Sequence, residues 1–125
     1  MPKNNGHRLA FLIVEAEPAQ GLSTRKLLLE SAKHNVLTAY SPDEGARMFR
    51  RFPHVDLVAV DGSFGEAACT KLVKSLKTHN KDIRVVAFVP NMSTKCGWAD
   101  ETTGSHDPAG LLRVVEEMGG RTDIA

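Results

Sequence analysis

The sequence predicts an α/β fold: a parallel β-sheet covered by helices on both faces. Three observations carry that expectation. "RLAFLIVE" (8–15), "HVDLVAV" (54–60) and "IRVVAFV" (83–89) are short, nearly continuous apolar runs, the pattern of strands buried on both faces. Amphipathic stretches separate them, so strand and helix alternate, and right-handed crossovers then make neighbouring strands parallel. A length of 125 residues, 42% of them apolar, suits one domain with an ordinary core.

Each element has its own signal. After the first strand (8–15), "PAQGLSTRKLLLESAK" predicts a helix with Pro18 in its first turn and Leu22, Leu28, Leu29 and Ala32 at near-helical spacing. "NVLTAY" (35–40) is rich in β-formers and predicts the second strand. "SPDEGARMFRRF" opens on a capping box: Ser41 accepts from the amide of Glu44, Glu44 reaches back, and Pro42 suits the first turn. The third strand is 54–60. "EAACTKLVKSLK" (66–77) puts Ala68, Leu72 and Leu76 on one helical stripe, and 83–89 is the fourth strand. "ETT" (101–103) is the expected short fifth strand. "DPAGLLRVVEEM" predicts a helix capped by Asp107, with Leu111, Leu112, Val115 and Met118 on its apolar face. Between Val89 and Asp107 the pattern is irregular. The expected organisation is a disordered tail over 1–7, one domain over 8–119 and a frayed tail over 120–125.

Composition narrows the function classes. Sixteen basic and fifteen acidic residues give a net charge of +1, and the basic residues in "FRRF" and "KLVKSLK" suit solvated helix faces. No field or helix-turn-helix segment points to nucleic acid. The polar N-terminus predicts no secretory leader, and no apolar run reaches the roughly 20 residues of a membrane helix. Cys69 and Cys96 lack CxxC spacing and are expected as reduced thiols in a cytoplasmic protein. The five histidines show no ligand spacing. No dinucleotide fingerprint, phosphate-binding loop or nucleophile elbow supports an enzyme on small molecules.

Two of the strands end in acid: Glu15 after the first and Asp61 after the third. In a doubly wound parallel sheet the ligand crevice lies beyond the carboxyl ends of the strands, so the two carboxylates are expected to share it. At this point the chain resembles the receiver domains of bacterial two-component response regulators, from about Arg8 to Gly119. "LIVEAEP" is similar to the segment carrying the family's acidic pair, "HVDLVAVDGS" to that carrying its phosphoacceptor aspartate, and "DPAGLLRVVEEM" to the opening of its last helix. The resemblance implies a flavodoxin-like sheet of five parallel strands, order 2-1-3-4-5, with five helices. It implies Asp61 as phosphoacceptor, and Mg²⁺ held by the acidic pair, Asp61 and the carbonyl of Ser63. Partners would be a histidine kinase or output protein, with no membrane and no nucleic acid. A homodimer through the last helix–strand face is also implied, although the core explains "LLRVVEEM" equally well. Without an attached output domain, the chain is expected to be a single-domain regulator or a fragment of a longer one.

The residues depart from that pattern. Glu15 fills the first acidic position, but the second falls on Ala16. The hydroxyl that ends the family's fourth strand falls on Val89, the lysine that ends its fifth on Gly104, and its switch aromatic near Glu101. The segment from Val89 to Gly104 is about a helical turn or two short, so the fourth helix is expected to be shortened or irregular. Phosphoryl transfer concentrates negative charge that Mg²⁺ and the lysine normally offset. Two unit charges about 4 Å apart interact by roughly 4 kcal/mol at an effective dielectric of 20. Losing half of that in the transition state slows transfer about thirtyfold. Mg²⁺ is therefore expected to bind weakly if at all. Glu17 is an alternative ligand, Lys95 an alternative ammonium, and Asp61 an alternative cap of the turn in "DGSFG". The expectation is a degenerate receiver, or pseudo-receiver, that signals by protein contact and is no enzyme beyond at most self-phosphorylation. The alternative is a receiver phosphorylated on Asp61 by a histidine kinase with atypical metal ligation. Trp98 either plugs the gap left by the short helix or anchors a partner.

Overall fold

A computed structural model describes residues 7–16, 18, 23–91, 93–120 and 122. Five strands, β1 (Ala10–Val14), β2 (Asn35–Ala39), β3 (Leu57–Asp61), β4 (Arg84–Val89) and β5 (Glu101–Gly104), form one sheet in the order β2-β1-β3-β4-β5. Every neighbouring pair is parallel. Among the described residues four helices accompany them: α1 (Thr24–Ser31), α2 (Pro42–Arg51), α3 (Glu66–His79) and α4 (Pro108–Glu117). A single 3₁₀ turn, Gly62–Phe64, follows β3. This is the flavodoxin-like arrangement the sequence predicts.

The side-chain period of two splits the strands between two cores. Leu12, Val14, Val58, Val60, Val85 and Ala87 face α2 and α3 and pack with Phe49, Leu72, Val73 and Leu76. Phe11, Ile13, Leu57, Ala59, Val86 and Phe88 face the other way and pack with Leu29 of α1 and Leu111, Val114 and Val115 of α4. Both faces are covered, which is why these strands read as apolar throughout.

Several boundaries differ from expectation. The first helix begins at Thr24 rather than at Pro18, because Ser23 accepts the amide of Lys26 and fixes the start there. Leu22 lies outside the described residues. β3 begins at Leu57, three residues late, since Asp56 is already bonded to β1: its amide meets the Ala10 carbonyl and its carboxylate accepts the Ala10 amide. The box of α2 is shifted by one: Ser41 takes the Glu44 amide, but Glu44 reaches the amide of Tyr40 at 2.6 Å. On α4 it is Val114, not Leu112, that completes the buried face. His7 and Gly120, just outside the 8–119 unit, pair with each other, so the ordered unit extends by one residue at each end.

The largest departure concerns sulfur. Cys69 and Cys96 are not separate thiols but a disulfide, with Cα atoms 5.4 Å apart across a separation of 27 residues. That distance lies within the ordinary range for a bridge. It joins α3 to the connection between β4 and β5, residues 90–100, where the described residues form no helix or strand. The shortened fourth helix is therefore, among the described residues, replaced by an irregular strap. Also among the described residues, no helix is long and apolar enough to cross a membrane.

Candidate functional site

The ends of β1 and β3 bring the two acids together. Val14 pairs with Val60, so Glu15 and Asp61 each stand one residue further along neighbouring strands. Phe11, Ile13, Leu57 and Ala59 share one face, and the two-residue period carries Glu15 and Asp61 onto that same face, beneath α1. Glu15 is 3% exposed, and its amide continues the ladder to the carbonyl of Ala39.

Arg25, in the first turn of α1, brings a cation to this crevice. Its guanidinium lies 3.2 Å from Glu15 Oε1, donates to the carbonyl of Ser105 at 3.3 Å, and stacks 3.7 Å above the ring of Phe88. Those three contacts belong to the end of β1, the segment after β5, and β4. The side chain thus bridges across the end of β3, where Asp61 stands beside Phe88 in register. No ion pair joins Arg25 to Asp61 among the described residues. Asp61 instead accepts the amide of Ser63 at 2.9 Å and caps the 3₁₀ turn. Glu15 Oε2 is buried without a partner among the described residues.

Of the positions singled out in the sequence, Ala16, Ser63, Val89 and Gly104 fall at the strand ends around this pair, and Glu101 lies at the other end of β5. Ala16 is exposed and offers no oxygen. Val89 and Gly104 are partners across β4 and β5. Val89 is fully buried and pressed on the backbone beside Asp61: a Cβ built on Gly62 would lie 2.7 Å from Val89 Cγ1. Gly104 is open: a Cβ there would meet only Asp107 Cβ, at 3.8 Å. Glu101 begins β5 and pairs with Arg84. Ser63 is exposed, and Glu17 lies outside the described residues.

Two expectations about charge are corrected. A fixed cation is present despite Gly104, and it is not Lys95. Lys95 is exposed and takes part in no ion pair among the described residues, whereas Arg25 reaches in from the opposite side. Trp98 plugs nothing, being 62% exposed with Lys74 5.3 Å from its ring centre. Arg25 escaped the sequence reading because an acid and a base ten residues apart, across a strand end and a helix start, leave no periodic signal. The helix start set by Ser23 is what aims it.

Among the described residues the donor set is a poor one for Mg²⁺. That ion demands near-octahedral oxygen ligation. Here one acidic position is a methyl group, one oxygen of Glu15 is paired with a guanidinium, and Asp61 is engaged by a backbone amide. A divalent cation on Glu15 would also sit beside a fixed positive charge. Among the described residues no three His, Cys, Asp or Glu side chains cluster as metal ligands.

No protein-family model and no curated protein matches the chain. Solved structures do. A CheY-like response regulator receiver domain from Methylobacillus flagellatus is 22% identical with a TM-score of 0.74, over 90% of this chain and 99% of that one. A response regulator receiver domain protein from Clostridium thermocellum is 22% identical with a TM-score of 0.70, over 89% of this chain and 94% of that one. The receiver domain of a sensor histidine kinase from Pseudomonas aeruginosa, with a magnesium ion coordinated in its active-site cleft, is 13% identical with a TM-score of 0.72. It is matched over 89% of this chain and 97% of its own. At these identities the likeness establishes the fold, which is that of CheY-like receiver domains.

Proposed function

We propose that the chain is a receiver-like module of two-component signal transduction that works by protein–protein contact, with weak or no Mg²⁺-dependent phosphorylation of Asp61. The observation that carries this reading is the Arg25–Glu15 pair, 3.2 Å long and largely buried. A phosphorylating crevice needs a free acid for its metal and a cation aimed at the acceptor. Here the chain's own guanidinium holds one oxygen of the acid and sets a positive charge beside the other, and Val89 and Gly104 bring neither hydroxyl nor ammonium. Asp61 then serves as a turn cap, and Glu15 and Arg25 tie α1 to the sheet.

The partner would be a histidine kinase or an output protein in the cytoplasm, and Trp98 would be the anchor, since exposed tryptophan with a neighbouring cation favours hot spots. The module is no enzyme beyond, at most, self-phosphorylation. Acetyl phosphate with millimolar Mg²⁺ tests this. The expected result is an unchanged intact mass after incubation. A phosphate mass gain that Asp61→Asn abolishes would replace this reading with a functional receiver of atypical ligation, acting as a histidine-kinase target.

A further inference from the structure

The strap over residues 90–100 lies along one edge of α3, and its anchors are unequal. The amide of Gly97 donates to Thr70 Oγ1 at 2.9 Å, and Lys74 sits over Trp98. At the far end Asp100 accepts from Lys77 Nζ at 2.6 Å and from the amide of Val85 at 2.7 Å. The far end is thus fastened to both α3 and β4. The middle is not: Cys96 is the one buried residue among those described in the strap, and its sulfur is bonded to Cys69. Among the described residues, Asn91, Ser93 and Thr94 bond with one another and with nothing else. Trp98 holds a φ of 75°, in the left-handed region that a bulky L-residue adopts only where its surroundings impose it.

We propose that Cys69–Cys96 is a reversible thiol–disulfide site that decides whether the strap is docked on α3 or released. The reductant is a dithiol. Its thiolate attacks Cys96 Sγ, the sulfur of the residue with some exposure, 7% against none for Cys69. The S–S bond breaks and Cys69 leaves as a thiolate, which takes up a proton. It leaves from near the start of α3, four residues beyond Gly65, and is protonated there. The second thiol of the reductant attacks the mixed disulfide and frees Cys96. Two electrons pass to the protein, and the reductant closes into its own disulfide. A disulfide donor reverses the steps.

Release takes the only covalent anchor from the middle of the strap and leaves the Asp100 end as its hinge. Gly97 then parts from Thr70, Trp98 relaxes its backbone and leaves Lys74, and the bond after Lys95 becomes open to a protease. The strap's middle gives Cys96, with Ala99 packed beside it, to the margin of the core under α2 and α3, whereas the other core and the strand ladders are built without it, so the fold persists.

The test uses the whole chain, oxidised and then reduced with dithiothreitol at neutral pH without denaturant. Thiol alkylation read by mass is expected to show two modified cysteines only after reduction. Cleavage after Lys95 by a lysine-specific protease is expected to rise about tenfold or more, with a shift in Trp98 emission and unchanged far-ultraviolet circular dichroism. Cys69→Ala/Cys96→Ala should give the fast cleavage and shifted emission with or without dithiothreitol. Should that variant fail to fold, Cys96→Ser alone reads the same two signals. Equal cleavage rates and emission in the oxidised and reduced chain would overturn the proposal, as would a bridge that resists native-state reduction. None of these readouts involves phosphate or a partner, so the result stands apart from the fate of the reading above.

Discussion

Glu15 and Arg25 lie ten residues apart in sequence and 3.2 Å apart in the crevice, with side chains 4% and 23% exposed. Removing one partner of such a pair strands the other in a poorly solvated place. Arg25→Met should therefore cost about 2–3 kcal/mol, below the range for fully buried pairs because the guanidinium keeps some solvent. Glu15→Gln/Arg25→Met should recover more than half of that loss. Urea unfolding of the two single variants and the double variant measures the coupling. Simple additivity of the single losses would show that the pair is incidental. The site was half legible at this scale. Glu15 and Asp61 announce themselves as acids that end apolar runs, and "DGSFG" announces Asp61 as a cap. Arg25 does not, because its role depends on where Ser23 starts a helix and on a sheet that separates it from Glu15 only in space. The gaps at Ala16, Val89 and Gly104 were legible only as departures from a resembled pattern.

At the scale of elements, α2 rests closely on the sheet at Gly45. A Cβ built there would lie 2.7 Å from Val14 Cγ2, and Val14 is fully buried in the core. Alanine in a helix interior gains up to about 1 kcal/mol over glycine. Overpacking a tight core costs typically 1–3 kcal/mol. With Val14 unable to move, the second effect wins, and Gly45→Ala should destabilise by about 1 kcal/mol. In a Val14→Ala background the clash is gone, and the same change should stabilise. Thermal melts of the four proteins decide it, since an unchanged sign in both backgrounds would mean that α2 does not rest on Val14. Elements were well legible where the apolar period was clear, as for β4 and α3, and where period and cap agreed, as for α4. They were misplaced where a polar contact cut a pattern short, as Ser23 did for α1 and Asp56 for β3. The strap was legible only as a lack of pattern. Its disulfide was not legible at all, since two cysteines 27 residues apart carry no spacing signature and meet only through the fold.

For the whole molecule, sheet order and crevice chemistry separate cleanly. The topology already sets the ends of β1, β3, β4 and β5 side by side, with Val89 opposite Gly104 and Glu15 beside Asp61. On the proposed reading, what sets this edge apart from a phosphorylating one is a few side chains. Ala16 is exposed, and Gly104 has space for a side chain, so Ala16→Asp and Gly104→Lys are both tolerated sterically. Val89→Thr keeps the volume but buries a hydroxyl, which finds its use only when a phosphoryl group arrives. The triple variant should bind Mg²⁺ at millimolar levels and take phosphate from acetyl phosphate on Asp61, with Asp61→Asn abolishing the gain. Arg25 opposes the metal through its hold on Glu15, so adding Arg25→Met should speed phosphorylation while lowering stability. Each fixed charge restored at the acceptor is worth about 2 kcal/mol in the transition state, or roughly thirtyfold in rate. A triple variant that folds, shows the same circular dichroism and still takes no phosphate would mean that the fault lies in the frame, with the ends of β1 and β3 held apart from the geometry that phosphoryl transfer requires.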